Sequence, residues 1–156
     1  MSQPHNWRTA PAAELIAHIL WRYHQRHREQ LPELISLAQR VEQVHGTHSQ
    51  CPNGLAGHLQ AMQQELESHM CKEEHVLFPL LQHGLSRPAA APIRVMRLEH
   101  DEHTQALKTL LVLTDAFTSP ADACNTWRAL YQGLQVFHDD LLEHIQLENE
   151  VLFSTV

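Results

Sequence analysis

The sequence predicts an all-α protein built as an up-down-up-down four-helix bundle. Three observations carry the prediction. The chain is rich in Leu, Ala, Glu and Gln and has only five glycines in 156 residues, a composition that favours helix. Apolar residues recur at steps of three and four along four long segments. The segments are separated by short stretches of turn formers, and loops of under about ten residues make successive helices antiparallel neighbours. The length fits one domain, taken as 1–156, large enough to bury a core without cross-links.

The helices are expected at about 12–44, 53–83, 91–117 and 120–153, within the usual boundary error. Thr9 to Pro11 precedes the first, whose stripe is Ala13, Ile16, Leu20, Leu31, Leu34 and Ala38, with a bend expected at Pro32. The Gly46–Gly54 loop follows, then a stripe of Leu55, Leu59, Met62, Leu66, Leu77 and Leu80, stopped by Gly84. The third stripe uses Val95 or Met96, then Leu107, Leu110 and Phe117. Pro120 after Ser119, with Asp122 beyond it, reads as a helix start. The fourth stripe is Leu130, Leu134, Phe137, Leu141, Val151 and Leu152, and Trp7, Trp21 and Trp127 are expected to pack inside.

Charge and composition exclude several functions. Eighteen acidic residues against eleven basic ones give a formal charge of −7, which disfavours nucleic acid or an anionic membrane as partner. No apolar run approaches the roughly 20 residues that span a bilayer. The start MSQPHNWRTA lacks a basic region followed by an apolar one, so no signal peptide is expected. Cys51, Cys71 and Cys124 are odd in number and widely spaced, which fits reduced thiols in the cytoplasm and no cysteine zinc site. The abnormal count is histidine. There are 14, more than Lys and Arg together.

Each apolar stripe is broken by polar residues on its own face. The series are Leu20-His24-His27-Leu31, Leu66-His69-Glu73-Leu77, Met96-His100-His103-Leu107 and Leu141-His144-Glu148-Leu152. Steps of three and four keep these groups pointing where the leucines point. Buried imidazoles and carboxylates are costly unless paired or metal-bound. At 1.5 Å rise per residue, His24, His100, His69/Glu73 and His144/Glu148 lie roughly 18, 14, 18 and 11 Å from one shared end of the bundle. They can therefore form one layer.

Four imidazoles and two carboxylates are too many donors for one tetrahedral zinc. They suit two first-row metals, each with two histidines and with carboxylates shared between them. Mixed nitrogen and oxygen donors favour iron or manganese over magnesium or calcium, and leave zinc and copper open. The alternative is a metal-free polar network or a pH-sensing histidine cluster.

The segments RYHQRHREQLPEL, SHMCKEEHVLFPLL, VMRLEHDEH and LLEHIQLENEVLF resemble hemerythrin-like di-iron bundles, and more closely the bacterial repair-of-iron-centres proteins. The resemblance covers nearly the whole chain. It implies a hemerythrin-like fold and two iron ions, bridged by oxo and carboxylate groups. The metal ligands it implies are His24, His69, Glu73, His100, His144 and Glu148, with Glu73 and Glu148 as bridges. It further implies repair of iron–sulfur clusters damaged by nitric oxide or oxidative stress, with damaged iron–sulfur proteins as partners and nitric oxide or dioxygen at the metals. Scavenging or sensing of nitric oxide is the alternative, and either reading is more a metal-centre repair or ligand-binding protein than a classical enzyme.

Two departures stand out. Thr104 occupies the position four after His100, and the fourth helix carries HxxxE, where oxygen-carrying hemerythrins use HxxxH and HxxxxD. Members of the family also commonly carry a cysteine-containing domain before the bundle, and this sequence begins where that domain would end. His103 is a candidate extra ligand or rim residue, and His27 a candidate partner of the ligands or a packing residue. Asp140, four before His144, is a candidate orienting group or a solvated residue, and Tyr23 and Glu99 are expected beside the metals. Cys71 should point away from them. His5, His45, His48, His58, His75, His83 and His138 read as surface or loop residues.

Overall fold

The computed structural model describes residues 6–155; His5 lies outside them. Four helical rods form the expected bundle. The first joins α1 (Ala12–Ile19) through a π turn, Leu20–His24, to α2 (Gln25–His45). The second joins α3 (Leu55–Lys72) through a π turn, Glu73–Leu77, to α4 (Phe78–Gln82). The third is α5 (Ser86–Leu113), and the fourth is α6 (Asn125–Leu147) running into a π turn, Glu148–Leu152. The start of the first rod packs against the ends of the second and fourth, so these neighbours run antiparallel. Pro32 and Pro92 both sit inside continuous helix.

Three boundaries differ from expectation. The third helix starts near Ser86 and stops at Leu113, short of Phe117. Asp115, Ala116 and Phe117 all adopt left-handed φ values of 50 to 60°, a conformation that ends a right-handed helix. Buried Thr114 closes this turn, its hydroxyl donating to the Leu110 carbonyl and accepting from the Phe117 N–H. The fourth helix begins at Asn125, because Pro120 and the residues after it form a turn of their own. At the start of α3, Gly54 takes φ +94°, where glycine alone is unstrained. The Glu42 carboxylate accepts the freed N–H groups of Gly54 and Ala56.

The apolar side chains form two clusters rather than one. The larger includes Leu34, Leu59, Leu66, Leu110, Trp127, Leu134 and Phe137. The smaller gathers Leu15, Ile19, Leu77, Phe78, Met96, Leu152 and Phe153 at the end shared by the start of the chain and the tail of α6. Met96 fills the position for which Val95 was the other candidate; Val95 is 46% exposed. Trp127 is fully buried, while Trp21 is 72% exposed and not a packing residue. It borders a surface cleft with Arg22, Gln25 and Glu29, on the polar side of its rod. Trp7 stacks on His18 at 4.3 Å.

Leu59 has no exposed surface and touches the larger cluster. Leu59→Ala should therefore cost about 2–5 kcal/mol, lost transfer energy plus a cavity. Trp21→Ala should stay within about 0.5 kcal/mol. Urea unfolding of the two variants checks both.

Candidate metal centre

The six polar residues of the stripes meet between the two apolar clusters, and all are at most 1% exposed. They fall into two groups whose donor atoms lie within 4.8 Å of one another. One is His24, Glu73, His144 and Glu148; the other is His69, Glu73, His100 and Glu148. Both carboxylates belong to both groups. Each rod supplies one imidazole, and the second and fourth supply the glutamates at i+4 from their histidines.

The π turns sit at this height and nowhere else among the described residues. His24 closes one, and Glu73 and Glu148 each open one. A π turn widens the helix locally and is frequent at functional sites.

All four imidazoles have the same orientation. Nε2 faces the carboxylates: His24 is 3.1 Å and His69 3.4 Å from Glu73, and His100 is 2.9 Å and His144 3.1 Å from Glu148. Nδ1 faces outward to a fixed partner: Glu74 at 2.7 Å from His24, Glu99 at 2.9 Å from His69, Asn149 at 2.7 Å from His100, and His27 at 3.0 Å from His144. An oxygen acceptor at Nδ1 places the proton there and leaves the Nε2 lone pair pointing inward. Despite the short distances, His69 Nε2, His100 Nε2, Glu73 Oε2 and Glu148 Oε1 have no partner in hydrogen-bonding geometry. Four orphaned donor atoms converging in a dry layer are what a cation would satisfy.

The electrostatics agree. Burial and the facing Glu148 push the Glu73 carboxyl well above its usual range. Burial opposes the ionisation of Glu148 too, yet His144 and His100 hold its carboxyl well below that range. Burial is also the main cause that lowers His69 to about 4 and His103 to about 3, and it lowers His27 and His144. Around the layer, Arg28 grips both Glu67 and Glu74, and Lys72 donates to Glu99. Hydrogen bonds from His24 and Arg28 depress Glu74 to about 2.

The other singled-out residues divide. His103 packs edge-on against His69 at 4.9 Å but belongs to neither donor group, and its Nδ1 is orphaned. His27 serves His144 rather than His24, and Tyr23 stacks on the His144 ring at 5.1 Å. Asp140 does not reach His144; it is buried against Arg22 and Gln30. Cys71 turns away toward Glu67, and Glu99 holds His69. Glu74 and Asn149 went unnoticed in the sequence, although each sits one residue from a stripe glutamate. His58 is half-buried and bonds the Ala106 carbonyl. Two clefts of about 570 and 480 Å³ flank α3, one reaching His27 and Arg28 and the other Glu99 and His103.

A sequence model described as the hemerythrin HHE cation binding domain matches residues 15–156. The chain belongs to this hemerythrin family. It is 55% identical over 148 residues to the iron-sulfur cluster repair protein YtfE of Musicola paradisiaca, covering 95% of this chain and 67% of that protein. It is 51% identical over 152 residues to the protein of that name from Pectobacterium atrosepticum, covering 97% and 69%. Identity to the YtfE protein of Yersinia pseudotuberculosis serotype IB is 51% over 155 residues, covering 97% and 70%. The resemblance to repair-of-iron-centres proteins read from the four motifs is thus borne out, and so is the helical fold. No helix of the described residues is long and apolar enough to cross a membrane.

The buried imidazoles set a pH dependence for the metal-free protein. His27, His69, His103 and His144 stay neutral when folded but take up protons near pH 6.5 when unfolded. Between about pH 6.5 and 4 the unfolded state therefore binds more protons, so stability falls as the pH falls. Glu73, with its raised value, acts in the opposite sense but is a single group. Thermal melts of chelator-treated protein should show Tm dropping through this window; a Tm that held or rose would contradict neutral imidazoles.

Proposed function

We propose that the chain holds two irons and helps repair iron–sulfur clusters damaged by nitric oxide or oxidative stress. His24 and His144 would hold one iron and His69 and His100 the other, with Glu73 and Glu148 available to both. The observation that carries the metal reading is the membership of both carboxylates in both donor groups. The mixed imidazole and carboxylate set is suited to iron. The repair reading is supported by the relatives, which are named iron-sulfur cluster repair proteins and align with 95–97% of this chain.

Bound iron would supply an exchangeable metal and open positions for a diatomic ligand such as nitric oxide or dioxygen. The protein's own part is to orient the donors and keep water out. Burial holds the layer dry, and the Nδ1 partners fix each ring so that Nε2 is free. Glu73 must give up its proton when metal enters, because a bridging carboxylate is ionised, so loading releases protons and weakens in acid. With two imidazoles per iron rather than more, the metals remain comparatively labile, as donation to a damaged cluster requires.

Anaerobic reconstitution with ferrous iron should give two irons per chain. The loaded protein should then restore a nitric-oxide-damaged iron–sulfur enzyme after free nitric oxide has been removed. Protection seen only while nitric oxide is present would replace repair by scavenging, and one zinc with no coloured ferric form would sink the two-metal site.

Glu73→Ala takes a donor from both groups. It should abolish the exchange-coupled pair, not merely one iron, while the helical content survives on the two apolar clusters. Mössbauer spectra with an unchanged coupled centre would rule out the bridge.

A further inference from the structure

The partners behind the four imidazoles divide them in a way that the ligand set alone does not. His24 and His69, which share Glu73, donate Nδ1–H to the carboxylates of Glu74 and Glu99. Arg28 and Lys72 in turn hold those carboxylates in place. His100 and His144, which share Glu148, are backed by uncharged groups: the Asn149 amide oxygen and the His27 ring. Behind His27 the contact continues through the uncharged Gln30, with His27 Nδ1 at 3.4 Å from Gln30 Oε1, and reaches a carboxylate only at Asp140, to which Gln30 Nε2 donates at 2.9 Å and which Arg22 already neutralises. A carboxylate behind an imidazole makes the ring nitrogen that faces the metal a stronger donor, because the charge-assisted bond pushes electron density onto the ring. A neutral acceptor does so much less.

We propose that the centre is split into a retaining half, His24, His69 and Glu73 on the first two rods, and a releasing half, His100, His144 and Glu148 on the last two. The inference rests on the two-iron reading above. Each iron then has one strongly and one weakly donating imidazole. His100 and His144 on the third and fourth rods would let go first, while His24 and His69 on the first two rods would still hold the metals. Asn149 and His27 are positioning residues here: they act through His100 and His144 and set how readily iron is given up.

The test is the rate at which a ferrous chelator strips iron from the loaded protein without oxygen, a readout independent of repair activity. Asn149→Asp keeps the size of a half-buried side chain and puts a charge behind His100; it should slow release about tenfold. Glu74→Gln removes the charge behind His24 and should speed release about tenfold, and Glu99→Gln should do the same through His69 without touching Arg28. A merely structural role would loosen iron in all three variants, so the slowing by Asn149→Asp is the decisive sign. The inference is overturned if Asn149→Asp fails to slow release or if both glutamine variants fail to speed it. Wild-type protein that takes up fewer than two irons overturns the two-metal reading, and this inference with it.

Discussion

Four imidazoles and two carboxylates lie in a dry layer between two apolar clusters, and the rest of the structure is arranged around keeping them there. Groups of this kind lose their hydration on burial and regain it only through partners. Outward, each imidazole is satisfied by a hydrogen bond from Nδ1. Inward, the donor atoms are left to one another or to a cation. The leucine clusters above and below bring the four rods together without help from the layer, so the fold can hold a site that its own packing does not stabilise.

This division explains why so much was legible in the sequence. Stripe steps of three and four place His69 and Glu73, or His144 and Glu148, on the same face as the leucines beside them, so periodicity that predicts helices also exposes the breaks in it. The family resemblance then rested on the same breaks. Glu74 and Asn149 were harder to read, because residues adjacent to the stripe glutamates project toward the seam between rods, where polar residues are ordinary. Which imidazole each one supports depends on how the rods pair, and no single stripe encodes that.

The misplaced helix ends have local causes. Ser119-Pro120 carries the residues of a helix start but forms a separate turn, and α6 begins at Asn125. Thr114 closes the end of α5 in a left-handed turn with no glycine to announce it. Trp21, expected inside, is exposed, whereas Tyr23 two residues on is buried and reaches the His144 ring.

The π turns at His24, Glu73 and Glu148 have a consequence for how such a centre is gained or lost. A π turn carries one residue more than the α-helical turn it replaces, and one residue corresponds to about 100° of rotation on a helix. Deleting a single residue within such a turn would restore regular helix, leave the flanking stripes in register and displace chiefly the side chains at the turn itself. The bundle could repack around that change, since its two apolar clusters lie to either side. A change one residue long at these turns would therefore act on the buried polar layer first and on the two apolar clusters least.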